Sequence, residues 1–475
     1  MVTSTLPRRV LAALTGVLII MATCGCGQAK QHSPAAADTG DVAIFTPDDG
    51  FTLARDVPLN TWHRLVDALR EELDGQGIDG DHVEVHTDSD LDSQNEALQD
   101  YVSDRTGDVR GSAEGRSGAT TLVLAPAVAH HDLSRYYGDY VTAATSQEDA
   151  EALDRMADTL TLAREAGMRV VLLGNAVEGF TPDVQVPLVS ARQIGQMQAE
   201  QLVSKLRLDS VSRGNPKYVE ILVPYVGEEE QSLQFAQEAF AGVWSVLAGY
   251  FRSGKVISPS LRVTAATGED DWEQVAFPAD SAADVDAELR QRLGTPASHT
   301  THVRIDGIIS MDDSVAKDVC DTLSDLKYTG SAADINPSIS IGDVVGSITG
   351  RQDVHKQQVP DPTRAPAVPD ESSRDGSSSQ WPIVTGFGAY ISNMPDIVNG
   401  KQWMTGLVDM DANAHAVADV CVRLNAGTSL EVEYLEQADN TAQGAVHVPL
   451  TAVSAGNLKE TLIDPGYVTL ADAGL

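Results

Sequence analysis

The hydrophobic and polar positions of the chain alternate between the period of a strand and the period of a helix. A first apolar run, VAIFTP at 42–47, has the length and composition of a buried strand. After it, apolar residues recur at intervals of three and four, which predicts an amphipathic helix. The apolar positions of this helix are Trp62, Leu65, Val66, Leu69 and Leu73.

The same alternation continues to residue 174 and restarts at residue 191. Further strands are predicted at 82–87, 120–127, 168–174, 218–224, 305–311 and 382–388. Further helices are predicted at 93–102, 151–167, 191–206, 231–251 and 314–326. Strands that alternate with helices in this way predict parallel sheets covered on both faces. The expected fold class is therefore α/β, with two halves of similar build.

Two segments break this rhythm. Residues 103–119 are polar and rich in glycine and charge, and they predict a loop. Residues 358–380 are rich in proline, serine and aspartate and carry too few apolar residues to bury a core. The second segment is predicted to be a mobile insertion in the second half.

Composition excludes one class of partner. The 475 residues include 69 Asp and Glu against 33 Lys and Arg, a formal charge of −36. Nucleic-acid binding requires a basic face, so no nucleic-acid partner is expected. The acidity does not identify another partner, because a solvated acidic surface accounts for it equally well.

The N-terminus has the pattern of an export signal. A basic pair at 8–9 precedes an apolar run at 10–22, which is too short to span a membrane comfortably. Cys24 and Cys26 follow, and the small residue before Cys26 resembles a bacterial lipoprotein processing site. We predict that Cys26 is lipidated, with Cys24 or an ordinary signal-peptide cleavage nearby as the alternatives.

These signals divide the N-terminal region and predict where the protein resides. Residues 1–26 are expected to be a lipoprotein signal peptide, and residues 27–40 a flexible tether. The predicted location is the extracytoplasmic face of the cell membrane, held there by a lipid anchor. The other two cysteines, Cys320 and Cys421, lie in helical patterns without scaffold spacing and are predicted to be unpaired buried residues.

The sequence offers no positive case for catalysis. It lacks the H-E-x-x-H, G-x-S-x-G and G-x-x-x-x-G-K-[ST] motifs, so no enzyme activity, cofactor or metal is expected. One strand end raises a question of its own. Ligands usually lie where parallel strands end, yet Phe387, Gly388 and Ala389 offer no polar side chain there.

Several motifs resemble one family. Residues 396–427, which include GKQWMTG and end in N-A-G, are similar to the last crossover of the xylose and multiple-sugar binding proteins. These are type I periplasmic solute-binding proteins. Residues 448–469 resemble their tail, and the segments 162–177, 186–202 and 250–257 occur in the family's order.

The resemblance implies a fold and a role. It implies two Rossmann-like lobes joined by a three-segment hinge, the periplasmic-binding-protein-like I arrangement. Lobe one would comprise 41–190 and 390–430, and lobe two 191–389 and 431–475. Members capture a carbohydrate in the cleft between the lobes and deliver it to an ABC permease.

The family's polar ligand positions are only partly kept. Where relatives have an Asp-Arg pair after the fourth strand, this chain has Asn175 and Ala176. Where relatives have Asn-Asp after the 305–311 strand, it has Met311 and Asp312. The aspartate expected after the 382–388 strand is replaced by Gly388. Free xylose or glucose is therefore not expected to bind with micromolar affinity.

Other residues remain candidates for the ligand site. Trp272 matches a tryptophan that stacks on the sugar ring, and Phe387 would add an aromatic floor unless it belongs to the core. Asp312 would bind a hydroxyl unless it only caps the helix that follows. The resemblance also aligns Arg55 with a sugar-contacting arginine. Replacement ligands are sought in Asp48, Asp49, Glu229 and Gln231.

Two other functions stay open beside carbohydrate uptake. The lost ligand positions are also compatible with a sensor or an envelope interaction protein whose sugar pocket has decayed. An exported enzyme has only scattered acidic residues in its favour.

Overall fold

The computed structural model describes residues 40–49, 55–111, 119–127, 147–227, 230–294, 302–332, 380–437 and 444–475. The predicted signal peptide with Cys26, the tether apart from Gly40, and the insertion apart from Gln380 lie outside the described residues. So do Glu229 and the side chain of Gln231. None of the helices in the described ranges combines the length and apolarity that crossing a membrane requires.

The strands and helices follow the predicted order and add several short elements. The strands are β1 (Asp41–Pro47), β2 (Val83–Asp88), β3 (Thr120–Leu124), β4 (Arg169–Leu173), β5 (Val184–Val186), β6 (Lys217–Ile221), β7 (Val223–Tyr225), β8 (Val256–Ile257), β9 (Ala276–Pro278), β10 (Gly307–Ile309), β11 (Ile383–Thr385), β12 (Met404–Leu407), β13 (Leu435–Gln437), β14 (Gly444–Val446) and β15 (Thr451–Ser454). The helices are α1 (Trp62–Gly75), α2 (Leu91–Gly111), α3 (Gln147–Glu165), α4 (Ala191–Leu206), α5 (Glu230–Arg252), α6 (Ala282–Arg292), α7 (Asp313–Asp325), α8 (Met394–Asn399) and α9 (Met410–Ala426).

The strands form two main sheets, which confirms the predicted α/β class. The first sheet has the order β13-β14-β5-β4-β3-β1-β2, and the second has the order β15-β12-β11-β10-β6-β8. All neighbours pair in parallel except at β13 and β15, which are antiparallel edge strands. A small parallel pair, β7 with β9, lies beside them.

The central strands of the first sheet are buried on both faces, as expected for parallel strands with helical cover. Along β1, Val42 and Ile44 belong to one apolar cluster, whereas Ala43 and Phe45 belong to another. The predicted apolar face of α1 is confirmed, because all five predicted residues are buried. The continuous apolar run of β1 thus reflects two packed faces.

The chain passes between the two sheets three times. It leaves β5 for α4, which packs on α5, and it leaves β12 for α9, which packs on α1. It returns from β14 to β15. The three crossings therefore lie at residues 187–190, 408–409 and 447–450. Lobe one is the half built on the first sheet, and lobe two is the half built on the second.

The predicted division at residue 390 is wrong in position. β12 pairs with β11 in the second sheet, so the chain crosses to lobe one after Leu407. Residues 435–446 pair in the first sheet, although the sequence placed them in lobe two. The predicted loop at 103–119 is also wrong in part, because α2 continues to Gly111. Arg105 lies in that continuation and donates to Asp41 at 2.7 Å.

Two helices of lobe two cross at small residues. A Cβ atom added to Gly195 of α4 would lie 2.0 Å from the Ala239 carbonyl oxygen of α5. A Cβ atom on Gly242 of α5 would lie 2.0 Å from the Arg192 carbonyl oxygen of α4. Each glycine thus lets its helix approach the backbone of the other.

The two described cysteines are unpaired, as predicted. Cys320 lies in α7 of lobe two and Cys421 in α9 of lobe one, and both are buried. Burial raises the pKa of the Cys421 thiol to about 12 and raises that of Cys320 well above its usual range. Both thiols behave as small apolar groups.

Candidate functional site

The carboxyl ends of strands in the two sheets meet beside the 408–409 crossing. Residues 55–60 follow β1 of lobe one and reach the turn that follows β11 of lobe two. The Leu59 amide donates to the Gly388 carbonyl oxygen at 2.9 Å, and the Ser392 amide donates to the Arg55 carbonyl oxygen at 2.8 Å. Strand ends of this kind are where open α/β sheets bind ligands.

Two asparagines of lobe one hold the crossing segment. Asn60 Nδ2 donates to the Val408 carbonyl oxygen at 2.9 Å, and Asn413 Nδ2 donates to the Asp409 carbonyl oxygen at 2.7 Å. Asn60 is 7% exposed and Asn413 is 1% exposed. Within the described part of the chain, the Oδ1 atom of each has no donor. Two buried acceptors therefore lie beside the crossing without a hydrogen bond.

The turn after β11 folds tightly back on itself. Gly388 has a φ of 114° and Ala389 a φ of 54°, both in the left-handed region. The Ala389 amide donates to Thr405 Oγ1 at 3.0 Å, and the Tyr390 amide donates to Asp313 Oδ2 at 3.0 Å. These bonds fix the turn so that the Tyr390 ring lies against Gly388. The missing side chain at position 388 thus makes room for a ring from the same turn.

The ends of β10 and β11 are joined by a buried amide from α4. Gln198 Nε2 donates to the Met311 carbonyl oxygen at 2.8 Å, and Gln198 Oε1 accepts from Thr385 Oγ1 at 2.6 Å. Met311 itself has a φ of 65° and is fully buried. Met311 is thus held inside lobe two.

Asp312 caps α7, the alternative that the sequence left open beside ligand binding. Its Oδ1 accepts from the amides of Ser314 and Val315 at 2.7 and 3.4 Å. Its Oδ2 accepts from the Tyr390 hydroxyl at 3.0 Å. The carboxylate is 1% exposed, so both of its oxygens are used within the protein.

A second buried carboxylate follows directly. Asp313 is fully buried, and its oxygens accept from Gln402 Nε2 at 2.6 Å and Thr405 Oγ1 at 2.8 Å. Burial raises the pKa of Asp313 to about 6, although these hydrogen bonds oppose the increase. Burial, together with the charge of Asp313, raises the pKa of Asp312 well above its usual range. Both acids therefore favour their neutral forms more than an exposed aspartate does.

The two aromatic candidates differ in burial. Phe387 is 2% exposed and belongs to the largest apolar cluster, so the ring has no free face for stacking in this structure. Trp272 begins a short helical turn, Trp272–Gln274, and is only partly buried where it packs on that cluster. Of the two, Trp272 keeps a partly exposed surface.

The polar candidates of lobe one are spread along its strand ends. Asp48 is exposed after β1, and Asn175 is partly buried after β4. Asp49 accepts from the amides of Trp62 and His63 at 2.6 and 2.7 Å and thereby caps α1. Arg55 pairs with Asp472 of the C-terminal tail at 3.1 Å. Asp49 and Arg55 therefore have structural partners already.

Sequence reasoning missed Asn60, Asn413, Gln198, Asp313 and Tyr390. Some local signals were available. Asn60 lies two positions before Trp62, the first apolar residue of the predicted helix, and Asp313 adjoins a predicted ligand at a strand end. Gln198 stands on the apolar face of α4. In the described ranges no group of three or more His, Cys, Asp and Glu residues could hold a metal ion.

Comparison with known proteins gives similarities in structure only. No model of a protein family matches the chain, and no curated protein matches it. An ABC transporter solute-binding protein from Clostridium phytofermentans with bound β-D-glucose is 18% identical with a TM-score of 0.48, covering 91% of this chain and 99% of that chain. A carbohydrate transporter solute-binding protein from Chloroflexus aurantiacus in complex with D-glucose is 16% identical with a TM-score of 0.47, covering 91% and 97%. A periplasmic ribose ABC transporter from Conexibacter woesei is 10% identical with a TM-score of 0.48, covering 90% and 96%.

Proposed function

We propose that this protein captures a carbohydrate between its two lobes. The observation that carries the proposal is the pair of buried Asn60 and Asn413 Oδ1 atoms beside the crossing, where strand ends of both sheets meet. A buried acceptor without a donor costs free energy, so such a site favours a ligand that brings hydroxyl donors. Trp272, with its partly exposed ring, is the candidate for stacking on a sugar face.

The proposed role includes delivery to an ABC permease from the outer face of the cell membrane. The support is the resemblance of residues 396–427 and 448–469 to sugar-binding proteins, with Cys26 as the proposed lipid anchor. Mass spectrometry of the mature N-terminus tests the anchor. An acylated Cys26 is expected, and a product without an acyl group that starts beyond residue 26 would contradict it.

The proposed ligand is larger than a free pentose or hexose, or differently substituted. Asn175, Ala176, Met311 and Gly388 replace the family's polar ligands, and each hydrogen bond lost to a charged group costs about 1.5–3 kcal/mol. Two or three such losses weaken binding by roughly two to six decades. Stacking on Trp272 offsets only about 1 kcal/mol of this.

Calorimetry with monosaccharides and oligosaccharides tests the carbohydrate site. An oligosaccharide should bind with micromolar or tighter affinity. Asn60→Ala should weaken it at least tenfold, and Trp272→Ala should weaken it about fivefold, since stacking contributes about 1 kcal/mol. Asn457→Ala is the matched control, because both ends of that amide are already paired within lobe two. Micromolar binding of free xylose that is unaffected at Asn60 would refute the proposed site.

A second candidate function is a sensor or an envelope interaction protein with a decayed pocket. The burial of Met311, Asp312 and Phe387 favours it, because lobe two then presents little polar surface at its strand ends. The same calorimetry separates the two candidates. A folded protein that binds no saccharide in a broad panel would favour the second.

A further inference from the structure

Tyr390 occupies the strand-end region of lobe two. It is one of the largest fully buried side chains in the described part of the chain. Its ring folds back over Gly388 so closely that a Cβ atom at position 388 would lie 2.4 Å from Tyr390 Cε1. The ring is thus placed by the turn that joins β11 to the segment facing lobe one.

The Tyr390 hydroxyl reaches the one acidic side chain that the resemblance keeps as a ligand in lobe two. It donates to Asp312 Oδ2 at 3.0 Å, while Asp312 Oδ1 accepts the first amides of α7. A phenol and a pyranose are both six-membered rings that carry a hydroxyl group. The Tyr390–Asp312 hydrogen bond therefore resembles that of a sugar hydroxyl to a carboxylate, except that the protein itself supplies the hydroxyl.

We propose that Tyr390 is an internal occupant of the lobe-two half of the carbohydrate site, and that Asp312 binds a ligand hydroxyl only when that hydroxyl replaces the Tyr390 phenol. This inference rests on the proposed function. It makes Tyr390 a residue that sets specificity, because a ligand must displace a ring before it reaches Asp312.

Physical chemistry favours exchange over simple release. A buried carboxylate left without its donor is costly, so the phenol can leave Asp312 only as another hydroxyl arrives. The turn that carries the ring includes Ala389 in the left-handed region, a conformation that costs free energy for a residue with a Cβ atom. Rearrangement of this turn releases that strain, which offsets part of the cost of breaking the Ala389 and Tyr390 amide hydrogen bonds.

The first experiment measures glucose binding by calorimetry in Tyr390→Ala and in the wild-type protein. Removal of the ring should tighten glucose binding at least tenfold. Tyr328→Ala is the matched control, since Tyr328 is also buried in lobe two but donates to a backbone carbonyl oxygen, that of Val303, at 2.6 Å. It should leave glucose binding unchanged. Equal glucose binding by the wild type and Tyr390→Ala would overturn the inference and leave the proposed function standing.

The second experiment does not depend on sugar recognition. Phenol and benzene are each titrated into Tyr390→Ala, and binding is read from the rise in melting temperature. Phenol should bind at least tenfold more tightly than benzene, because only phenol supplies a donor to Asp312. Equal binding of the two, or binding of neither, would overturn the inference. Selective phenol binding without any saccharide binding would uphold the occupant and refute the carbohydrate function.

A second variant tests whether the Tyr390 ring is needed for folding. Tyr390→Leu leaves apolar volume in the site and should show the same gain in glucose affinity, reduced in size. If Tyr390→Leu fails to fold while Tyr328→Leu folds, the ring is a structural part of the core and the inference is overturned.

Discussion

The buried acid Asp313 should make the stability of this protein depend on pH in an unusual direction. Burial raises the pKa of Asp313 from 3.8 to about 6 in the folded state. A folded pKa above the unfolded value means that the folded state binds the proton more tightly. The stabilising contribution is therefore full below pH 3.8 and is lost as the pH rises through 6. The shift of about two units corresponds to about 3 kcal/mol.

The Asp313→Asn variant isolates this contribution. An amide in place of the carboxylate would set a donor against the donors Gln402 Nε2 and Thr405 Oγ1, at a cost that does not change with pH. The pH-dependent part comes from the lost titration of Asp313 and, in the same direction, from a smaller increase in the pKa of Asp312 once the charge at position 313 is removed. Relative to the wild type, the variant should therefore gain about 3 kcal/mol of unfolding free energy between pH 4 and pH 7.

Urea unfolding of both proteins across pH 4 to 7.5 measures the difference. Asp41→Asn is a control for which the difference should stay nearly constant over this range, because the pKa of Asp41 is lowered from 3.8 and its titration falls below pH 4. Burial raises the pKa of Asp41, but hydrogen bonds from Arg105 and His82 outweigh this effect and hold the pKa below its usual value. The reasoning would be refuted if the difference in unfolding free energy between Asp313→Asn and the wild type did not change with pH. It would also be refuted if the variant became less stable relative to the wild type as the pH rises. Either result would show that the donors around Asp313 outweigh its burial.

Three further predictions concern packing and buried thiols. Gly195→Ala should lower the free energy of unfolding by several kcal/mol, since its Cβ atom meets the backbone of α5. Gly249→Ala adds a Cβ atom that meets nothing within 4 Å, so it should raise the free energy of unfolding by up to about 1 kcal/mol. Gly388→Ala should destabilise by about 1–3 kcal/mol or more, because it combines a φ of 114° with a clash against the Tyr390 ring, and a melting temperature equal to that of the wild type would contradict this. Cys320 and Cys421 should resist iodoacetamide in the folded protein at pH 8 and react in urea, because burial raises the pKa of both thiols; peptide mapping that found either one alkylated without urea would contradict the structure.

Local patterns in the sequence determined most of the regular elements. The helix predicted at 191–206 coincides with α4, where Ser190 and Gln193 form a capping box at its start. The five apolar positions of α1 are all buried as its spacing predicted. Such features depend on residues within a few positions of each other, so periodicity and capping signals are enough to find them.

Tertiary structure decided which elements share a sheet. β12 is only four residues long, and its membership of lobe two depends on pairing with β11 and β15. No local signal distinguishes that pairing from membership of lobe one, so the predicted boundary was misplaced. The short strands β13 and β14 were not predicted for the same reason, because pairing with each other and with β5 defines them.

Tertiary structure also decided which candidate side chains are available to a ligand. The sequence identified Asp312 as a possible ligand, but its partner Tyr390 stands 78 positions away. Asp49 was a candidate for the same role until the fold placed it on the amides of α1. Whether a polar residue is free or already hydrogen-bonded depends on the groups that packing brings to it, and residue type alone does not carry that information.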